Sequence, residues 1–433
     1  MSVATGFVGI FVLLGLLIIR VPIAIALILV AFFGVTSMIG PDAAVSLLAA
    51  GPYDFAASWT LSAVPMFLLM GFIAYHSGMT SGLFTAANVF LRRIPGGLAL
   101  SSILACSGFA SVCGSSVACA AAMGRIAIPE MIKAGYRPGF ACGTVAAGGT
   151  IGALIPPSIL MIVYGVFAQA SVTKIFLGGV VVGAMTAISY AIVVFLVAAF
   201  SPATIPRQSQ QVAYSADEYA DAIRAVWPVF VLVIVTFGGL FLGIFTATEA
   251  GAVGATTATL LALITGKLTR NAVNSALVET MSTTASLFVI AIGASLFTRF
   301  LGLSGFSSYL TSFVTGQDLS IAVVLLAIIL IYLALGMFME PFGAMLVTLP
   351  VFLPVIESHG VSLIWFGVLV VKLLEIGMIT PPMGMNIFVI KAISSRDISL
   401  GRIFKGAGFY LLADIALIAI ICAFPSVVLI LTN

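Results

Sequence analysis

Two adjacent prolines, Pro156 and Pro157, stand inside the apolar run GTIGALIPPSILMIVYG at 149–165. Each lacks the backbone donor, and its ring clashes with the preceding turn, so the pair breaks any helix that contains it. The surrounding stretch is long enough to cross a membrane, where water is absent and freed carbonyls stay unsatisfied. Non-helical backbone persists at that depth only where it lines a cavity or is buried in protein. Whatever this chain folds into must therefore enclose the break with other helices.

A second double proline, Pro381-Pro382, lies 225 residues further on in GMITPPMGMNIFV. The same gapless shift pairs Pro129 with Pro354, Gly135 with Gly360 and Gly152 with Gly377. Five helix-punctuating residues in one register imply a duplicated chain. A repeat with broken helices at corresponding positions is the sequence sign of a secondary transporter.

Charge gives the sense of the repeat. The turn from Arg125 to Arg137 carries Arg125, Lys133 and Arg137 against Glu130, whereas its counterpart from Pro354 to Gly360 has only Glu357 and His359. After the broken helices the bias reverses: Lys174 alone follows the first, but Lys391, Arg396, Arg402 and Lys405 follow the second against Asp397. Lys and Arg concentrate in cytoplasmic loops, so the halves are expected in opposite orientations, an inverted repeat.

The path that follows puts both termini outside. Residues 3–19 cross inward, 22–40 cross back, 41–60 stay outside, and 61–91 descend to Arg92-Arg93. Residues 98–128 must then leave and return to one side, in a length too short for two crossings at about 20 residues each. A re-entrant hairpin with SVCGSS at its tip is the expected form. The broken helix 138–169 and a span at 174–200 complete the first half, residues 1–200. A polar connector at 201–225 leads to the second half, 226–433, with spans at 226–247, 249–266 and 277–301. A hairpin at 319–353 with GMFMEPFG at its tip, a broken helix at 361–391 and a span at 407–431 follow. Segments 43–58 and 268–283 are read as arms lying along the interface. The expected fold class is an all-α polytopic membrane protein.

Composition excludes much else. Apolar residues make up 62% of the 433 and charged residues 7%, and spanning runs recur along the whole chain. The first run lacks a basic start and passes directly into a second apolar segment, unlike a cleaved signal peptide. No soluble domain is expected. The five cysteines sit in apolar segments without a CxxC pair, and the two histidines have no metal-ligand spacing. Neither a disulfide framework nor hydrolytic chemistry has material to work with, so the chain is read as a non-enzyme without a cofactor.

The two hairpin tips and two Pro-Pro breaks each expose carbonyl oxygens and helix ends, which suit a hard cation and a carboxylate. Ser115, Ser116, Ser158 and Thr380 add hydroxyls, while Gly114, Gly336, Gly343 and Gly384 permit tight backbone. Asn386 offers both a donor and an acceptor. Among intramembrane charges, Glu340, Glu375 and Glu249 stand near breaks or helix starts, and Arg20 and Arg299 near helix ends, where arginine can snorkel. A proton relay needs more acids and histidines than this, so sodium is the expected coupling ion. Ser116, Ser158, Arg299 and Asn386 are the candidates for contact with substrate.

At these residues the chain resembles the large membrane (M, DctM-type) subunit of tripartite ATP-independent periplasmic (TRAP) transporters. The matching stretches are PMFLLMGFIA, IPGGLALSSILACSGFASVCGSSVACAAAMGRIAIPEMIKAGY, GTIGALIPPSILMIVYG, GIFTATEAGAV and ITPPMGMNIFV. They span essentially the full length. Departures are Cys113-Gly114-Ser115 for Ser-Gly-Ser, Ala247-Thr248-Glu249-Ala250 for PTEA, and Arg20 where glycine is often found. The resemblance implies an elevator-type, sodium-driven importer of organic acids in a bacterial or archaeal inner membrane. It further implies a small four-helix membrane subunit (Q, DctQ-type) and a periplasmic substrate-binding protein (P) as partners. Sodium ligands carried over by motif are Gly114, Ser115, Gly336, Met339, Pro341 and Thr380, with Ser102 in support. The nearest alternative is a stand-alone sodium–dicarboxylate carrier or antiporter; a channel would need a sustained polar stripe that no helix has. Dicarboxylates, sialic acid, sugar acids, keto acids and sulfonates all remain open as substrate.

Overall fold

The computed structural model describes residues 3–206, 216–317 and 319–432. Residues 207–215 of the connector expected at 201–225 therefore lie outside the described residues, which contain helices and turns and no strand. Eight of the helices are long and apolar enough to cross a membrane.

The two halves run through the same elements in the same order. In the first, Gly97–Cys113 and Ser116–Lys133 form a helical pair, followed by Pro138–Thr150, Ile159–Phe167 and Val172–Phe200. In the second, Ile321–Phe338 pairs with Pro341–Ser358, followed by Leu363–Gly377, Met385–Ile393 and Leu400–Ala423. The boundaries Cys113 and Phe338, Ser116 and Pro341, Lys133 and Ser358, and Pro138 and Leu363 each lie 225 residues apart. Gly and Pro set most of these limits: Gly114 at φ 63° ends its helix in the left-handed conformation, and Gly135 and Gly360 do so after each second arm.

Pro138–Thr150 and Leu363–Gly377 form the centre. Every residue from Phe140 to Thr150 and from Trp365 to Gly377 is buried, as expected of helices apolar on all faces. Small residues bring their neighbours close. A Cβ on Gly143 or Gly406 would enter the backbone of the facing helix, so Pro138–Thr150 and Leu400–Ala423 cross backbone to backbone. Gly336 and Gly377 make a similar contact in the second half.

Outside this centre, Ile23–Met38 packs on Arg270–Ser304, and Ala63–His76 on Ala247–Ile264. Several spans differ from the sequence reading. The segment read as 61–91 is divided into Ala63–His76 and Gly82–Leu91 by a turn at Gly78 with φ 69°. Residues 268–283 do not form a separate arm but start the continuous helix Arg270–Ser304. In the first half the helix Pro41–Ala56 runs through Gly51-Pro52 and ends at Ala57-Ser58, before the short turn Trp59–Ser62, whereas the second half stays helical through Ser282 and Thr283. The last long helix starts at Leu400 rather than 407, and the one after the connector at Ala216 rather than 226.

Arg20 joins the first two helices at φ 66° and is exposed. That region suits glycine and strains a residue with a Cβ. Arg20→Gly is expected to raise unfolding stability in detergent by up to about 1 kcal/mol, the relieved strain less the entropy of a free glycine. A lowered midpoint would mean that the arginine anchors the turn.

Candidate functional site

Each break frees carbonyls in a predictable place. Pro157 and Pro382 have no N–H to give the residues four before them, Ala153 and Met378. Both of these residues line one internal cavity of about 300 Å³. Beyond the first break the helix restarts at Ser158, whose hydroxyl accepts from Met161 N–H at 3.3 Å. Beyond the second, Asn386 N–H donates to Met378 O at 3.0 Å and closes the turn. Both Pro-Pro bonds are cis.

The hairpin tips face the same cavity. Gly114, Ser115 and Ser116 line it from the first, Glu340 and Pro341 from the second. Gly114 sits so close to the first break that a Cβ would strike the Pro157 carbonyl. Ser115 and Glu340 cap the second arms, accepting from Ala118 N–H at 3.4 Å and from Gly343 N–H at 3.1 Å. Ser116 donates to the buried carboxylate of Glu375 at 2.5 Å, which joins the first hairpin to the second broken helix. Leu68 and Phe72 of Ala63–His76, with Thr283 and Leu287 of Arg270–Ser304, form the opposite wall. Two serine hydroxyls, two carboxylates and the carbonyl released at Ala153 give a set of hard oxygen donors, matched to a hard cation.

The other sequence candidates surround this cavity at different distances. Met339 follows the helix end at Phe338, beside Glu340, and Gly336 packs on Gly377. Thr380 lies at the second break and donates to Ile376 O at 2.7 Å. Asn386 is buried behind the wall; its amide donates to Ala146 O at 3.3 Å, and its Oδ1 has no protein partner. Ser158 is buried in its cap and does not line the cavity. Ser102 bonds Leu98 O at 2.8 Å, twelve residues before the tip, or about 18 Å along the helix. Arg299 is exposed on Arg270–Ser304 beside Gly51, away from the cavity. The breaks differ in cover: Pro156, Pro157 and Ser158 are buried, whereas Pro381, Pro382 and Met383 are exposed.

Two sets of residues escape the sequence candidates. Glu340 and Glu375 stand out as intramembrane charges, but nothing in the sequence shows that both meet at the tips. Lys372 and Asp414, fully buried, are missed altogether. Lys372 Nζ lies 2.6 Å from Asp414 Oδ1 and donates to Thr186 Oγ1 at 3.2 Å. Tyr190 donates to Asp414 Oδ2 at 2.8 Å and lies 3.1 Å from Thr150 Oγ1. The network thereby ties Pro138–Thr150, Val172–Phe200, Leu363–Gly377 and Leu400–Ala423. The signal was present: a lysine three residues before Glu375 in VVKLLEIG, and an aspartate alone in the apolar run LLADIALIA.

Residues 10–427 match the family model described as "Tripartite ATP-independent periplasmic transporter, DctM component". A "C4-dicarboxylate TRAP transporter large permease protein DctM" of Pseudomonas aeruginosa is 36% identical, covering 92% of this chain and 91% of that protein. A "Sialic acid TRAP transporter large permease protein SiaM" of Vibrio cholerae is 30% identical over 98% of this chain and 97% of its own length. Among solved structures, the Alcanivorax borkumensis YdaH transporter superposes with a TM-score of 0.63 over 91% of each chain at 16% identity, a likeness of fold alone.

Proposed function

As the chain belongs to the DctM-component family of tripartite ATP-independent periplasmic transporters, we propose that it is the large permease for sodium-driven uptake of an organic acid. A periplasmic binding protein would deliver the acid, and a small four-helix membrane subunit would complete the permease. The observation that carries this reading is the meeting of both hairpin tips and both helix breaks at one cavity. Hydroxyl, carbonyl and carboxylate oxygens there offer ligands for sodium, with Ser115, Ser116, Glu340 and Glu375 as the nearest side chains. Neutralising the acid's charge with sodium also lowers the cost of holding an anion at membrane depth.

The matched helix boundaries of the two halves support an inverted repeat with two re-entrant hairpins. On that topology the exposed second break leads toward Lys391 on the inner side. The cavity wall formed by Leu68, Phe72, Thr283 and Leu287 is mostly apolar and offers few specific bonds to break. Such a surface suits an elevator step, in which hairpins and broken helices slide as one body past Ala63–His76 and Arg270–Ser304.

Opposed orientation of the halves has a direct test. Single cysteines replacing Ile132 and Glu357, placed in a cysteine-free background, are expected to react with an impermeant maleimide from opposite faces of the membrane. Reaction from one face would remove the inverted repeat.

A further inference from the structure

A second cavity, of about 680 Å³, lies where Pro138–Thr150 and Leu400–Ala423 begin. Arg137, Arg402 and Lys405 line it, with Ser201 and Thr204, and no acidic side chain does. All three cations are exposed, and none makes an ion pair among the described residues. Two helix N-termini add their positive ends to the same space. Anion binding is what such a cavity is built for.

Phe409 belongs both to this cavity and to an apolar groove of about 450 Å³. Ser189, Ile192, Val193, Leu196 and Val197 form one side of the groove, at the spacing of a single helix face. The other side runs from Phe409 through Leu412 and Ala416 to Ile420, again one face of one helix. Eleven residues of helix extend about 16 Å, half of a hydrocarbon core about 30 Å thick. Cationic pocket and groove thus match the two parts of one lipid in one leaflet.

We propose that this is a specific site for an anionic phospholipid. Its phosphate sits among Arg137, Arg402 and Lys405, and one acyl chain lies between Val172–Phe200 and Leu400–Ala423. Basic pockets between membrane helices are a recurring means of holding acidic headgroups. Both helices also belong to the Lys372–Asp414 network, so the lipid would travel with the body that carries the transport cavity. Assignment to the cytoplasmic leaflet rests on the topology proposed above; the binding itself does not.

The full-length protein in detergent is titrated with phosphatidylglycerol or phosphatidylcholine of identical chains, and bound lipid is counted by native mass spectrometry. Phosphatidylglycerol is expected to bind about 30-fold more tightly, and the double variant R402Q/K405Q to lose that preference. Ala416→Phe, which fills the exposed groove, is expected to weaken both lipids, and millimolar inorganic phosphate to leave bound phosphatidylglycerol in place. Equal affinity for the two lipids, or a preference that survives R402Q/K405Q, would overturn the proposal. So would displacement by inorganic phosphate together with a harmless Ala416→Phe, which would mark a site for a free anion. Lipid counting does not depend on uptake, so it stands apart from the outcome of any transport assay.

Discussion

Gly114→Ala is expected to reduce uptake by about a hundredfold or more while the protein still inserts and assembles. Gly114 holds φ at 63°, and its missing side chain is what lets the first hairpin tip rest on the first helix break. An added Cβ meets the Pro157 carbonyl, which is backbone and has no rotamer through which to yield. The tip must therefore move by the order of an ångström, and displacements of about 1 Å in a preorganised site cost on the order of 100-fold. Gly360→Ala is the matched control. It carries a similar strain at φ 66° but faces open space, so only the backbone cost of about 1–2 kcal/mol applies. Near-normal uptake in Gly360→Ala with loss in Gly114→Ala would assign the effect to the collision at the tip. Normal uptake in Gly114→Ala would remove the hairpin tip from the site.

Breaking the Lys372–Asp414 pair is expected to be the most destabilising change in the protein. Lys372→Met leaves Asp414 buried with Tyr190 as its remaining donor, and Asp414→Leu leaves the lysine with Thr186. Uncompensated buried charge costs about 3–5 kcal/mol, whereas replacing both partners by apolar groups is often nearly neutral. Each single variant should therefore unfold at much lower temperature in detergent, and K372M/D414L should recover most of the loss. Since the pair belongs to one network, strong non-additivity is the diagnostic reading. Single variants as stable as the parent would mean that neither charge is held as a pair in the folded protein.

These two sites also show what a sequence discloses. Gly114 and the double prolines were legible because glycine and proline constrain the backbone wherever they stand, and the 225-residue register shows the proline pair twice. The paired helices and the interruptions at the double prolines follow from that register. Lys372 and Asp414 lie 42 residues apart on separate helices, and only packing brings them together. The same limit applies to Glu375 and Ser116, which meet across 259 residues. Ser102 and Arg299 illustrate the converse. Their chemistry suits a ligand, but one bonds its own helix and the other lies beside Gly51. Residue type marks a capacity; only the fold places it at the cavity.

Coupling to sodium is tested most directly by uptake in proteoliposomes that hold this chain with the proposed small subunit and binding protein. About 2.3 kcal/mol per charge at 100 mV, and about 1.4 for a tenfold gradient, give roughly 3.7 kcal/mol for each sodium ion. Two ions entering with net positive charge would supply about 7 kcal/mol, enough for accumulation on the order of 10⁵-fold. Replacing sodium by potassium on the outside, at unchanged pH and membrane potential, is expected to abolish uptake. In the same assay Thr380→Val, which removes one hydroxyl at nearly constant shape, is expected to require severalfold more sodium for half-maximal rate. Full uptake under a proton gradient alone, with no sodium present, would contradict sodium coupling.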